Sequence, residues 1–136
     1  MQKNVDMKRK VLSKLIEWKN KKNRKPLIVN GARQVGKTYI LREFGSHYYE
    51  KMAYVNCDKN KMLEKIFSQD YDISRILLSL SAILHVNIEP ENTLIIFDEI
   101  QENATVLNSL KYFCEDAPQY HVAVAGSLLG ISLHRD

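Results

Sequence analysis

The stretch Leu27-Ile28-Val29-Asn30-Gly31-Ala32-Arg33-Gln34-Val35-Gly36-Lys37-Thr38 decides how the rest of the chain is read. A short apolar run stops at a glycine, and a second glycine five positions later leads directly into lysine and threonine. The last eight residues satisfy G-x-x-x-x-G-K-[ST] between an apolar strand and a helix-compatible run over 37–44, the context that motif requires. The glycines let successive backbone N–H groups converge on phosphate oxygens where a Cβ would obstruct them. The helix opening near Gly36 points its positive end at the same anion. Lys37 brings a mobile charge to the β- and γ-phosphates, and Thr38 offers a hydroxyl to Mg²⁺. The nucleotide-contacting set is therefore expected to comprise Gly31, Arg33, Gln34, Val35, Gly36, Lys37, Thr38 and Tyr39. Arg33 and Gln34 sit at variable positions of the motif, where projection to solvent is the simpler reading.

Outward from this loop, strands and helices alternate. Val11, Leu12, Leu15, Ile16 and Trp18 recur at helical spacing and predict a helix over 6–20. After the loop, 53–55 reads as a strand, and Asp58 as the N-cap of a helix reaching Phe67. Ile73, Ile76, Leu77, Leu80, Ile83 and Leu84 give the cleanest amphipathic pattern, with Asp72 as its cap. Residues 94–97 (LIIF) form an apolar strand, 104–115 a helix that Pro118 terminates, and 121–125 (HVAVA) a fourth strand. Strands apolar along their whole length indicate a parallel sheet covered on both faces, hence a three-layer α/β domain.

A phosphate loop alone does not separate kinases, GTPases and ATPases. Asp98-Glu99 narrows the choice. The LIIF strand delivers Asp98 to its carboxyl end, where ligands collect in open α/β sheets, so Asp98 is a candidate to hold Mg²⁺ through water beside Thr38. Glu99 is a candidate to polarise the water that attacks the γ-phosphate. This pair points to the additional-strand class of P-loop NTPases, in which a further strand separates the loop strand from the Asp-Glu strand. HVAVA is the natural occupant of that place, putting Ser127 at its end as a polar sensor. A hydroxyl satisfying the strand-to-loop turn is the plainer reading of Ser127. No N-K-x-D-like base-recognition motif of a GTPase is present.

The segments KPLIVNGARQVGKTYILREFG (25–45) and IEPENTLIIFDEIQENATVLNSLKYFCEDAPQYHVAVAGSLLGISLHR (88–135) resemble the prokaryotic AAA-type ATPases that carry a C-terminal domain of unknown function. GARQVGKT, FDEIQ and AGSLLG occur in that order at family-like distances. The resemblance implies an ATP-binding core in which Lys37, Thr38, Asp98, Glu99 and Ser127 play the parts given above, with ATP and Mg²⁺ as cofactors. Gln101 matches the family pattern without an evident role. Such chains normally continue into a fifth strand, a helical lid and the further domain, so this one resembles the ATPase core truncated after its fourth strand. The expected division is a basic N-terminal helix over 1–25 and a partial core over 26–136. Without the fifth strand, residues 27–30 become a sheet edge. Arg135 is the sole late candidate for the arginine that completes such sites.

The composition of the 136 residues is ordinary for a globular domain, 45% hydrophobic and 26% charged. Charge is not evenly spread: ten of the 20 Lys/Arg precede residue 26, against only Asp6 and Glu17. A solvated helix face is the simpler explanation, and an anionic partner such as nucleic acid the sharper one. Cys57 and Cys114 stand apart without metal-ligand neighbours and read as reduced thiols. No apolar run approaches the roughly 20 residues needed to span a bilayer, so a cytoplasmic protein without a membrane role is expected. The functional expectation is an ATP-binding core that takes up Mg-ATP and, in the complete protein, hydrolyses it to drive a conformational switch, with nucleotide and a protein partner or second copy as binding partners. A nucleotide-binding module with negligible turnover and a nucleic-acid-associated ATPase are the alternatives. A small-molecule kinase is weaker, for want of an arginine cluster to hold an acceptor.

Overall fold

The computed structural model describes residues 2–30 and 35–127. In chain order the elements are α1 (Gln2–Lys19), β1 (Leu27–Asn30), α2 (Val35–Tyr48), β2 (Lys51–Asn56), α3 (Lys61–Gln69), α4 (Ile73–Leu84), β3 (Thr93–Asp98), α5 (Ala104–Asp116) and β4 (His121–Gly126). The four strands form one sheet in the order β1-β4-β3-β2, every pair parallel. β4 therefore lies between β1 and β3, as the additional-strand reading requires.

The uniform apolarity of β3 follows from cover on both faces. All six of its residues are buried. Ile95 and Phe97 face a core built with α3, α4 and α5, where Phe97 meets Phe67 and Phe113 at centroid distances of 5.9 and 6.1 Å. Leu94 and Ile96 face the opposite core, made with Leu41 and Phe44 of α2 and with Leu15 and Trp18 of α1. Three layers result, as expected. Among the described residues β1 pairs only with β4, and Ile28, on the face opposite Leu27 and Val29, is 41% exposed. No described helix is long and apolar enough to cross a membrane.

One expected cap is corrected. Asp58 does not start α3; Asn60 does, its side chain accepting from Leu63 N at 3.2 Å. The Asp58 N–H is instead taken by Asn56 Oδ1 at 2.9 Å, and Lys59 adopts φ 52°, so the chain turns once more before the helix begins. Asp72 caps α4 as expected, accepting from Arg75 N at 3.4 Å.

α1 is anchored at its carboxyl end. Trp18 Nε1 donates to the Lys25 carbonyl at 2.7 Å, and Arg24 Nη1 donates to the Lys19 carbonyl at 3.0 Å, closing an otherwise open helix end. Beneath Trp18 lies His121, the buried first residue of β4, whose Nδ1 is hydrogen-bonded to Tyr49 Oη at 2.6 Å. Burial first, then the charges of Arg24 and Lys19, hold the His121 imidazole down at about 4, against 6.5 in the unfolded chain. Because the folded value is the lower one, the unfolded state takes up the extra proton. Stability is then full above pH 6.5 and falls as the pH drops towards 4. Thermal melts between pH 7.5 and 4.5 should show this loss, and His121→Asn, which keeps a hydrogen-bonding partner for Tyr49, should flatten it.

Candidate functional site

The parallel register sets which side chains meet at the carboxyl end of β3. Asn56 is opposite Asp98 and Tyr54 opposite Ile96, so Tyr54 and Asp98 share the face covered by α2. Asp98 is buried at 7% exposure, and its carboxylate is gripped from three elements. Thr38 Oγ1, in the first turns of α2, lies 3.2 and 3.3 Å from its two oxygens. Tyr54 Oη donates to Oδ2 from β2. The backbone N–H of Glu99 donates to Oδ1 at 2.9 Å. Burial, and then the bond to Asp98, raise the Tyr54 phenol well above its ordinary value, so it stays a donor. The Arg42 guanidinium lies 4.5 Å over the Tyr54 ring and completes this wall. Cys57 follows β2; burial, then the charges of Asp98 and Glu99, push its thiol up to about 12, far from nucleophilic reactivity at neutral pH.

After Asp98 the chain reverses sharply. Glu99 sits in the left-handed region at φ 53°, ψ 46°, a conformation that costs a residue with a Cβ about 1–3 kcal/mol and recurs at functional sites. A 3₁₀ turn over Ile100–Glu102 follows, and from it Gln101 reaches both the Glu99 carboxylate and the backbone of Ser127. A cleft of about 750 Å³ opens beside this end of the sheet, its walls including Thr38, Tyr39, Arg42, Asn56, Asp98 and Glu99.

Thr38 and Asp98, sixty residues apart, are thus in direct contact, Glu99 adjoins them, and Ser127 is tied in through Gln101. Tyr39 lines the cleft and carries Lys8 Nζ 5.3 Å above its ring. Val35, Gly36 and Lys37 open α2, their side chains outside the described part of the structure. Gly31, Arg33, Gln34 and Arg135 also lie outside the described residues. Tyr54 and Arg42 were not singled out by sequence; the register of β2 against β3 puts Tyr54 here, and the packing of α2 on β2 puts Arg42 over its ring, both long-range facts.

No group of three or more His, Cys, Asp or Glu able to cage a metal occurs among the described residues. One hydroxyl against one carboxylate suits Mg²⁺, which takes few protein ligands and completes its shell with water and phosphate oxygens.

A family model described as an AAA domain matches residues 23–135. The chain belongs to the AAA domain family. The match takes in the loop motif, the Asp98-Glu99 strand end and the strand leading to Ser127, and makes the chain a nucleotide-binding, ATPase-like module. No curated protein and no solved structure matches the chain.

Proposed function

We propose that this AAA domain binds Mg-ATP at the amino end of α2 and that the complete protein hydrolyses it to drive a conformational switch. The observation that carries the reading is the contact between Thr38 Oγ1 and the Asp98 carboxylate, which joins the phosphate-loop helix to the end of β3. In this reading the loop N–H groups and Lys37 hold the β- and γ-phosphates. Thr38 and Asp98 hold Mg²⁺, Asp98 through water. When bound, Mg²⁺ neutralises charge on the β- and γ-phosphate oxygens. Tyr54 and the Glu99 N–H fix the Asp98 carboxylate, so that its position is set before nucleotide arrives. Glu99 orients the attacking water and accepts its proton, and Ser127 reads the γ-phosphate from the end of β4.

Thr38→Ala tests the pairing. Asp98 keeps its bonds from Tyr54 and Glu99, so the fold should survive. ATP affinity in EDTA should match that of the unaltered protein, while the gain on adding Mg²⁺ should shrink about tenfold, the loss of one hydrogen bond in a charged site. An unchanged gain in fluorescent-nucleotide titrations would remove Thr38 from the metal site.

A further inference from the structure

The amide of Gln101 is used at both ends. Its Oε1 accepts from the backbone N–H of Ser127 at 3.1 Å. Its Nε2 donates to Glu99 Oε2 at 3.4 Å and, at the longer 3.5 Å, to Glu102 Oε1. One side chain on the turn after β3 thereby connects the Glu99 carboxylate to the main chain where β4 ends.

The neighbouring backbone is built to admit it. Gly126, the last residue of β4, has φ 156°, and a Cβ there would stand 2.2 Å from Gln101 Oε1 and 3.0 Å from Ile100 N. Any other residue at 126 therefore displaces the amide or the turn that carries it. The donor and acceptor ends are also specific: a carboxylate at 101 would have no hydrogen to offer Glu99 and would repel it, and a shorter amide would fall short by one methylene.

We propose that Gln101 is a positioning residue, a clamp that fixes the Glu99 carboxylate relative to the end of β4, so that a displacement at Ser127 is passed to Glu99. This rests on the reading of Glu99 as the group that orients water. Gln101 touches neither nucleotide nor water in this scheme; it acts through Glu99 alone. Movement of the β4 end when a γ-phosphate is present or absent then changes the aim of the carboxylate, coupling nucleotide state to turnover.

The test compares the protein with Gln101→Ala and Gly126→Ala, singly and together. Two readouts are used: hydrogen exchange at the Ser127 amide, and steady-state phosphate release. Gln101→Ala should speed Ser127 exchange by about tenfold or more as its acceptor is lost. It should lower kcat about tenfold or more while KM for Mg-ATP stays within about twofold, the signature of an interaction that aids the chemical step and not binding. Gly126→Ala should do the same, and the double variant should be no worse than the worse single one, because both remove one clamp. If Gly126→Ala fails to fold, Gln101→Ala alone decides. Unchanged Ser127 exchange in Gln101→Ala would overturn the clamp. Faster exchange with unaltered kcat would overturn its positioning role. Phosphate release absent from the unaltered protein, with exchange still faster in Gln101→Ala, would overturn the hydrolytic reading and the positioning of Glu99 with it, while the Gln101–Ser127 bond stands.

Discussion

Replacing Glu99 with glutamine is expected to lower steady-state phosphate release by about 10²–10⁴-fold, the range that a positioned proton acceptor contributes. The change keeps volume, leaves the backbone N–H that bonds Asp98 in place and still offers Gln101 an acceptor. Only basicity and charge are lost. Mg-ATP affinity should therefore be retained, and the variant should hold nucleotide without turning it over. Phosphate release unchanged by Glu99→Gln would take Glu99 out of the hydrolytic step, whatever the nucleotide affinity. An unaltered protein that binds nucleotide but releases no phosphate would favour the module without turnover.

Much of the architecture was legible because the relevant forces are local. LIIF at 94–97 can be apolar throughout only if both its faces are covered, and both are. Asp72 and the apolar stripe behind it marked α4 to the residue. Where sequence reading fell short, a distant contact had overridden a local preference. α2 was expected to stop at Phe44 but runs to Tyr48 through Gly45, a poor helix residue. Gly45 is there for space: a Cβ would approach Met52 Sδ at 2.7 Å and a Leu94 methyl at 3.2 Å, so the helix lies close on β2 and β3. In the same way Asp58 resembled a cap, and only the Asn56 side chain holding its N–H moved the helix start to Asn60.

The candidate site divides along the same line. Thr38, Asp98 and Glu99 stood out because a fixed spacing or a strand end announced them. Tyr54 did not, and Gln101 matched a family pattern without showing what it does, because each acts through a partner chosen by sheet register: Tyr54 reaches Asp98 across the β2–β3 pair, and Gln101 reaches Ser127 across β3 to β4. The Tyr49–His121 pair was equally hidden, its members seventy-two residues apart on the other end of the sheet.

Lys37→Ala should cause the second large effect, and it bears on the claim that underlies the rest. An ammonium on the β- and γ-phosphates forms charge-assisted hydrogen bonds worth about 1.5–3 kcal/mol, so its loss should weaken ATP binding about 10–150-fold. Lys37 lies in the first turn of a helix, where alanine is the best helix former, so the fold should be unaffected. Calorimetric titration of ATP into the protein in the presence of Mg²⁺ measures this directly. The predicted result is saturable one-to-one binding that Lys37→Ala weakens by that factor, with an unchanged thermal midpoint for the nucleotide-free forms. Absence of ATP binding in the unaltered protein, or equal affinity in Lys37→Ala, would contradict the assignment of 31–38 as the phosphate site.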